Sequence, residues 1–437
     1  MAHTRQSSGP FMFVALAALI LAGCAPAGGL VGAPAAKVEK PSELKIALVD
    51  FQSGPFAKFG LTALNSGQLL LDQINQEGGI AGVKARYSLV DENGSVEQQV
   101  TEYRRLVLDE KVDVVMGYTS SANCLGIAPV AEELKKLTII HICGTNRLFE
   151  EGQYKYVFRT SAHLAADNVS AALYVLQAKP DVKTIAGINQ DYAWGRDSWE
   201  VFKRVMLKLK PDVKVLDELW PKLGQGEFSA EISKLATTKA DVVHSSFFGG
   251  DYDTFIKQGA PRGIFKDSLY LFTTGETGLL TIGKDMPQGI ALTGRGQYLL
   301  FPDPDKNPLN KKFIESYQAR WGEFPIYPSY RMAQAVLGTK VAFEKASKLK
   351  GGGWPTADEV AAAFENLGWD TPGGPIVMRP DHQAVQPALW GITSGQPQPK
   401  LGFPTLERIQ TFSTTLVTPP LGMKTLDWID SWPAAAK

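Results

Sequence analysis

Short apolar segments alternate with amphipathic segments along most of this chain, and this alternation limits the folds open to it. Residues 45–51 form a short apolar, strand-like segment that Gly54-Pro55 ends. Residues 61–77 then carry apolar side chains at helical spacing, and residues 87–90 return to a strand pattern. The cycle repeats as far as the strand predicted at residues 269–272. Strands that alternate with helices predict parallel sheets covered by helices on both faces.

The number of these units indicates two lobes. Roughly ten strand–helix units are too many for one compact sheet of average size. After residue 290 the helical patterns at 310–320 and 331–348 have no strand between them, which indicates a return to the first lobe. The predicted fold is α/β, with two doubly wound parallel-sheet lobes. We assign residues 44–161 and 294–374 to lobe 1, residues 162–293 and 375–400 to lobe 2, and the Pro- and Thr-rich residues 401–437 to a C-terminal extension on the surface.

The N-terminal residues have the order of an export signal. Arg5 precedes an apolar run at residues 11–20, which leads into Leu21-Ala22-Gly23-Cys24. About ten apolar residues are too few to span the roughly 30 Å core of a bilayer as a helix. The small residues before Cys24 resemble the lipobox of bacterial lipoproteins, in which this cysteine is lipidated. A plain secretory signal followed by a chance cysteine is the alternative. We expect residues 1–23 to be a signal peptide, and residues 24–43 to be a lipidated, flexible tether.

Composition excludes several functional classes. Lys and Arg total 45, as do Asp and Glu, so no net field favours nucleic acid. The five histidines are scattered without metal-ligand spacing, and we expect neither a metal site nor a cofactor. Beyond Cys24 the chain has Cys124 and Cys143, which are either a disulfide formed outside the cytoplasm or two small buried residues. No Walker loop, Gly-x-Ser-x-Gly elbow or His-Glu-x-x-His motif occurs, which favours a binding protein over an enzyme.

Ordered motifs at the ends of the predicted strands resemble one protein family. The motifs are Ser53-Gly54-Pro55, Phe59-Gly60, Gly78-Gly79-Ile80, Val90-Asp91-Glu92, Ser120-Ser121, Gly144-Thr145-Asn146, Phe158-Arg159-Thr160 and Asp191-Tyr192-Ala193-Trp194-Gly195. In this order, over residues 44–395, they resemble the type I periplasmic solute-binding proteins of branched-chain amino acid ABC transporters, the leucine-binding protein family. The resemblance implies two doubly wound lobes joined by a three-crossover hinge, with the ligand in the cleft between them.

The resemblance also implies roles for individual residues. Ser121 and Thr145 match the hydroxyls that hold a ligand carboxylate, and Glu276 matches the acid that takes the ammonium group. An aromatic residue over the ligand matches Phe59. Further ligand-binding positions implied by the family are Ser53, Ser120, Gly144, Tyr192, Trp194 and Phe247. At the last of these the family has tyrosines, whereas this chain has Phe247-Phe248-Gly249-Gly250, which changes the surroundings of the ligand side chain.

Each of these residue types has a structural alternative. Ser121 would serve equally as a helix cap, and Glu276 as a member of a local ion pair. Phe59, Tyr192 and Trp194 would serve as core packing. Cys124 and Cys143 do not match the family's usual disulfide positions, so their pairing stays open.

The sequence therefore predicts an extracytoplasmic, lipid-anchored solute receptor of an ABC importer, without enzymatic activity. Its expected partners are a small solute, an amino acid of the branched-chain type or an amide, and the permease subunits of the importer. We expect a monomer that meets the membrane only through its lipid and binds no nucleic acid. A ligand sensor of the same fold is the alternative, and an extracytoplasmic enzyme on this scaffold is a more distant one.

Overall fold

The computed structural model describes residues 39–295 and 306–433, and strands and helices alternate over most of them. The strands are β1 (Leu44–Asp50), β2 (Ala85–Asp91), β3 (Val114–Gly117), β4 (Leu137–Ile140), β5 (Val157–Arg159), β6 (Thr184–Ile188), β7 (Lys214–Leu219), β8 (Val242–Ser245), β9 (Leu269–Phe272), β10 (Ala291–Thr293), β11 (Gly368–Trp369), β12 (Ile376–Met378), β13 (Ala384–Val385), β14 (Ala388–Pro397) and β15 (Pro404–Phe412). The helices are α1 (Ala57–Gln76), α2 (Val96–Leu108), α3 (Ser121–Glu133), α4 (Arg147–Glu150), α5 (Leu164–Ala178), α6 (Ala193–Leu209), α7 (Ser229–Thr238), α8 (Gly249–Gly259), α9 (Ile264–Asp267), α10 (Gly278–Thr281), α11 (Pro308–Trp321), α12 (Tyr327–Leu349), α13 (Ala357–Phe364), α14 (Thr414–Val417) and α15 (Thr425–Asp430).

The first lobe is built on a parallel sheet in the order β2-β1-β3-β4-β5. Its central strands β3 and β4 are buried along their whole length, because helices cover both faces. Local sequence sets the ends of the helices. A capping box starts α2, in which the Ser95 side chain accepts from the Gln98 N–H and the Gln98 side chain accepts in return from the Ser95 N–H. This strand order places a topological switch between β1 and β3, where ligands bind in open α/β sheets.

The second lobe is built on a mixed sheet in the order β15-β14-β10-β9-β8-β6-β7. Strands β6 to β10 run parallel to one another, whereas β14 runs antiparallel to both β10 and β15. The predicted α/β fold with two parallel-sheet lobes is confirmed, and the second lobe adds an antiparallel edge to it.

The chain returns to the first lobe after β10. Helices α11 and α12 pack on α1, and α13 packs on α12. The small antiparallel sheet of β11, β12 and β13 also adjoins the first lobe, because Phe158 stacks on both Phe364 and His382. The sequence analysis assigned residues from 375 onward to lobe 2. The structure corrects this boundary, since the chain rejoins the second sheet only at β14.

The last described residues belong to the second lobe. The sequence analysis treated residues 401–437 as a surface extension, but β15 pairs antiparallel with β14, and α14 and α15 pack on α5 and α6. Pro404 begins β15, a position where an edge strand tolerates proline because no ladder hydrogen bond from its nitrogen is needed. Residues 1–38, which include the predicted signal and Cys24, lie outside the described residues. No helix in residues 39–295 and 306–433 is long and apolar enough to cross a bilayer.

Candidate functional site

A small cavity lies where the carboxyl ends of strands from both lobes meet. Its volume is about 20 Å³, enough for roughly one water molecule. The first lobe contributes Phe59, Thr119, Ser121, Ile142 and Gly144, and the second contributes Tyr192, Trp194, Phe248 and Thr274, with Arg295 on the crossover after β10. The lining therefore combines aromatic rings, hydroxyl groups and one guanidinium group. We call this space the cleft cavity.

The first-lobe wall is held by buried acids behind it. The Glu92 carboxylate accepts hydrogen bonds from the N–H groups of Thr119 and Ser120, at 2.7 and 2.8 Å. Burial, together with the nearby charge of Asp50, raises the pKa of Glu92 to about 8, against the pull of these N–H donors. Asp50 accepts a hydrogen bond from the Thr119 hydroxyl at 3.2 Å and contacts His141 Nε2 at 2.8 Å. This network fixes the backbone of the loop between β3 and α3 that faces the cleft.

The second-lobe wall is fixed by hydrogen bonds to backbone carbonyls. Trp194 Nε1 donates to the carbonyl of Ser246 at 3.0 Å, which orients the indole across the cleft. The Thr274 hydroxyl donates to the carbonyl of Phe247 at 2.7 Å. The indole lies so close to the first lobe that a Cβ at Gly144 would be 2.2 Å from its Cζ3 atom. Only glycine fits at position 144 in this arrangement.

The two lobes contact each other around the cleft cavity. The Phe56 and Phe248 rings stack at a centroid distance of 4.8 Å, and Phe59 packs edge-on against Phe248 at 5.4 Å. The Thr145 hydroxyl donates to the Asp197 carboxylate of α6 at 2.6 Å. These contacts join side chains of α1 and the β4–α4 loop to the second lobe. The lobes are therefore closed on each other in this structure.

Arg295 is the charged residue that lines the cleft cavity. Its Nη2 atom lies 3.2 Å from Asp167 Oδ2, and its guanidinium carbon lies 4.1 Å from the centroid of the Tyr327 ring and 5.5 Å from that of Trp194. Burial opposes its charge, but the Asp167 carboxylate keeps the pKa of Arg295 above its ordinary value. A φ of 39° puts its backbone in the left-handed region, which turns the chain directly after β10. The sequence analysis did not identify this residue.

Two buried arginines, Arg295 and Arg331, act on the carboxyl group of Asp167. Arg331 is fully buried and donates through Nη1 to Gln334 and Gln386. Within the described residues, neither its Nε and Nη2 atoms nor Arg295 Nε has a hydrogen-bond partner. Burial raises the pKa of Asp167, although Arg295 and Arg331 oppose this. Unsatisfied buried donors are costly, so this region favours a ligand group that accepts hydrogen bonds and carries negative charge.

Glu276 is a further buried group of this region. Its side chain is buried in the second lobe, and neither carboxyl oxygen has a hydrogen-bond partner among the described residues. Burial raises the pKa of Glu276 to about 8, and the charge of Arg295 only partly opposes the effect. Glu276 does not line the cleft cavity itself. It forms no ion pair within the described ranges 39–295 and 306–433.

The structure brings together half of the residues predicted for ligand binding. Phe59, Ser121, Gly144, Tyr192 and Trp194 line the cleft cavity. The family resemblance selected each of them, and most of the matching motifs lie near the carboxyl ends of predicted strands. Thr119, Ile142, Phe248 and Thr274 line it as well and were missed, although they also follow strands β3, β4, β8 and β9.

The other predicted residues are placed differently. Ser53 is exposed, and its hydroxyl donates to Asp91. Ser120 caps α3 by accepting from the Asn123 N–H. The Thr145 hydroxyl is used in the bond to Asp197 rather than at the cavity wall.

Phe247 requires a correction of one residue. It packs in the core of the second lobe against Phe228 and Phe255, and Phe248 faces the cleft cavity instead. Side chains of extended residues point alternately to opposite sides, so a shift of one position exchanges a core residue for a cleft residue.

Cys124 and Cys143 lie together behind the first-lobe wall. Their Cα atoms are 6.4 Å apart, within the range of disulfides, and their sulfur atoms are in bonding contact. Over the described ranges 39–295 and 306–433, no group of three or more His, Cys, Asp or Glu side chains is arranged to hold a metal ion.

Comparison with known proteins assigns the chain to a family. The family model described as "Periplasmic binding protein" matches residues 43–391. A "Leu/Ile/Val-binding protein homolog 4" of Brucella melitensis is 27% identical over 400 residues, which cover 86% of this chain and 87% of that protein. The "Leucine-specific-binding protein" of Salmonella typhimurium is 23% identical over 292 residues, which cover 67% of this chain and 76% of that protein.

Solved structures show the same fold. A solute-binding protein of an ABC transporter from Rhodopseudomonas palustris, in complex with 3,4-dihydroxybenzoic acid, has a TM-score of 0.75 at 21% identity, over 86% of this chain and 98% of that one. An amino acid ABC transporter substrate-binding protein from Pseudomonas fluorescens has a TM-score of 0.75 at 17% identity, over 91% of this chain and 100% of that one. With a family model that spans most of the chain and the same two-lobed fold in these structures, this chain belongs to the periplasmic binding protein family.

Proposed function

We propose that this protein is an extracytoplasmic receptor that captures a small carboxylate-bearing solute between its lobes, at a cleft cavity that must widen from its present volume to hold it, and delivers it to an ABC importer. One observation carries the proposal, namely that side chains of both lobes meet around a space that Arg295 and aromatic rings line together. A ligand that touches both lobes stabilises their closed arrangement, because its affinity for that arrangement is higher. The protein performs no chemistry on the solute.

The charges around the cleft support a carboxylate. Arg295 and Arg331 have N–H groups without a partner in the part of the chain that the structure describes, whereas the buried Asp167 is already paired with Arg295. Ser121, the first residue of α3, adds a hydroxyl group where the dipole of a 13-residue helix favours negative charge. A guanidinium group binds a carboxylate through two parallel hydrogen bonds, which gives geometric selectivity as well as affinity.

Two kinds of carboxylate fit this region, an amino acid and an aromatic acid, and different residues favour the two. Glu276 offers two unsatisfied oxygen atoms, which an ammonium group would satisfy, as expected for a branched-chain amino acid. The rings of Phe59, Tyr192, Trp194 and Phe248 would pack against an aromatic acid such as the one bound to the R. palustris protein. We favour the amino acid, because the unpaired Glu276 carboxyl otherwise has no function in the structure.

Delivery to a permease places the protein outside the cytoplasm. We propose that Cys24 carries a lipid that holds it at the membrane and that the permease subunits of the importer are its protein partners. The names of the Brucella and Salmonella relatives and the order of residues 5–24 support this proposal.

A thermal-shift screen of the exported protein against amino acids, amides and aromatic acids tests the proposal. A ligand at about 100 times its dissociation constant should add about 2.7 kcal/mol of stability. Arg295→Lys keeps the charge beside Asp167 but removes the planar fork, so it should weaken the best ligand by at least about tenfold in a calorimetric titration. Arg86→Lys, at an exposed arginine far from the cleft, is the matched control. Equal affinity in both variants would overturn the assignment of Arg295 to the ligand.

A further inference from the structure

A second and larger cavity lies beside the connections between the lobes. Its volume is about 440 Å³, within the range of small-molecule sites, and it shares no lining residue with the cleft cavity. Its walls come from the segment around α4, the residues after β5, the turn at residues 379–383 and residues 419–424. We call this space the hinge cavity, because two of these segments are next to points where the chain passes between the lobes.

Arg159 is a buried cation in the wall of the hinge cavity without an ion pair. It is 1% exposed, and it donates through Nη1 to the carbonyls of Cys143 and Thr145, at 2.8 and 2.7 Å. Its Nε atom donates to Gln383, and Nη2 has no hydrogen bond to the described residues. Burial lowers the pKa of Arg159 to about 9, which the charges of Asp381 and Glu150 only partly oppose. A buried charge of this kind is costly without a partner.

His163 adds a second donor without an acceptor. Its Nδ1 atom accepts a hydrogen bond from the Ala165 N–H at 3.1 Å. Burial, followed by the charge of Arg159, holds the pKa of His163 well below its usual range, so the ring is neutral. A neutral imidazole that accepts at Nδ1 carries its proton on Nε2, and this N–H has no hydrogen-bond partner among the described residues.

Both acids that line the hinge cavity have partners within the protein. Asp381 forms an ion pair with Arg379, and the Glu150 carboxylate accepts hydrogen bonds from the neutral N–H and hydroxyl groups of Thr425, which leave its charge in place. Lys424 also lines the cavity, is exposed, and forms no ion pair with the described part of the chain. The positive charges of Arg159 and Lys424 therefore remain without a direct partner.

We propose that the hinge cavity binds a small organic anion whose oxyanion group, a carboxylate or a phosphate, reaches Arg159 and His163. The anion would satisfy Arg159 Nη2 and His163 Nε2 together, and Lys424 would attract it at the surface. The rings of Phe149 and Tyr154, which pack edge-on at 6.3 Å, offer an apolar wall for the rest of the molecule. This proposal does not rest on the function proposed for the cleft cavity.

The hinge cavity and the cleft cavity are linked through Arg159. The two carbonyls that accept from its Nη1 atom belong to residues on either side of Gly144, which lines the cleft cavity. An anion that shifts Arg159 therefore acts on the wall of the cleft. Because such coupling is reciprocal, a cleft ligand should change the affinity of the hinge cavity by the same factor.

Calorimetric titration of the full exported protein with sodium benzoate and with sodium phosphate, at constant ionic strength, tests the proposal. Benzoate supplies a carboxylate on an apolar ring, and phosphate supplies the oxyanion alone, so their relative affinities identify the source of the anion. Lys424→Glu reverses an exposed charge and should lower the affinity for the bound probe by about tenfold. Lys400→Glu, which makes the same change at an exposed lysine on the turn between β14 and β15, should leave the affinity unchanged.

Arg295→Lys separates the two cavities in the same titration. If the probe binds in the hinge cavity, Lys424→Glu should lower its affinity and Arg295→Lys should not. A crystal soaked with 4-iodobenzoate should show iodine density next to Phe149 and Tyr154. Three results would overturn the proposal: no binding of either probe at about 10 mM, equal affinity in Lys424→Glu and Lys400→Glu, or iodine density in the cleft cavity alone. If no binding is seen at 10 mM, the dissociation constant is weaker than about 10 mM, which corresponds to a binding free energy of about −3 kcal/mol.

Discussion

If the ligand carries an ammonium group, its binding should release a proton from Glu276. The pKa of this buried carboxyl is about 8 without a ligand, so roughly 90% of the molecules are protonated there at pH 7. An ammonium group at hydrogen-bond distance favours the charged carboxylate and returns the pKa towards or below its ordinary value of 4.5. Each amino acid bound at pH 7 should therefore release about 0.9 proton from Glu276.

Titration calorimetry in imidazole and in Tris measures this number directly, because the two buffers differ in their heats of protonation. Proton release also makes the affinity depend on pH. It should rise by about tenfold per pH unit between about pH 5.5 and 7.5 and level off above pH 8. Glu276→Gln should abolish both effects and weaken an amino-acid ligand by on the order of 100-fold, since the ammonium group would be buried without an ion pair. Glu315→Gln, at an exposed glutamate of α11, should behave as the wild type.

Tight binding of an amino acid without proton release would refute this reasoning and remove Glu276 from the site. An aromatic acid gives a different result, since it has no ammonium group and its carboxylate would raise the pKa of Glu276 further.

Unfolding without ligand gives an independent check. The folded protein binds this proton more tightly than the unfolded chain, so stability falls as pH rises from about 4.5 to about 8. Glu276→Gln should remove that loss and gain about 4–5 kcal/mol over the wild type at pH 8.5.

The remaining predictions concern the neighbouring phenylalanines and the cysteines. Phe248→Ala should lower the affinity for the cleft ligand, whereas Phe247→Ala should mainly cost about 3–5 kcal/mol of stability, because its ring lies in the core. Titration and thermal unfolding of both variants measure these effects, and a larger loss of affinity in Phe247→Ala would contradict the prediction. Mass mapping without reductant should show Cys124 linked to Cys143, and two free thiols in the exported protein would contradict the disulfide. Cys24→Ala should leave the protein unprocessed or free of membranes, and a processed variant in the membrane fraction would disprove lipidation.

Sequence patterns predicted the parts of the site that depend on local order. Alternating strands and helices indicated parallel sheets, and a residue just after a parallel strand lies at the edge where ligands bind. This rule depends only on the order of residues along the chain, which the sequence displays directly. It indicates the strand ends as the site, and the family resemblance selected Phe59, Ser121 and Trp194, which all line the cleft cavity.

Long-range partners are what the sequence did not display. Arg295 follows β10 as Ser121 follows β3, so the same rule would have found it, but its partner Asp167 is far away in the chain. The choice between Phe247 and Phe248 depends on which side of the loop faces the core. Two adjacent aromatic residues show no alternation of apolar and polar positions, so the sequence does not indicate which of them faces the cleft. Strand β15 was missed because Pro404 and neighbouring threonines suggest a loop, whereas its pairing with β14 makes it an edge strand.

The pairing of β10 with β14 has a consequence for how the two lobes fold. All strands of the first sheet lie within residues 44–159, so this sheet needs only continuous chain to form. The second sheet pairs Ala291 with Ile392, and β15 completes its edge with residues 404–412. Contacts between distant segments form slowly, because closing the intervening loop costs entropy. The first sheet should therefore gain protection from hydrogen exchange early in refolding, and the second should gain it only after β14 has docked.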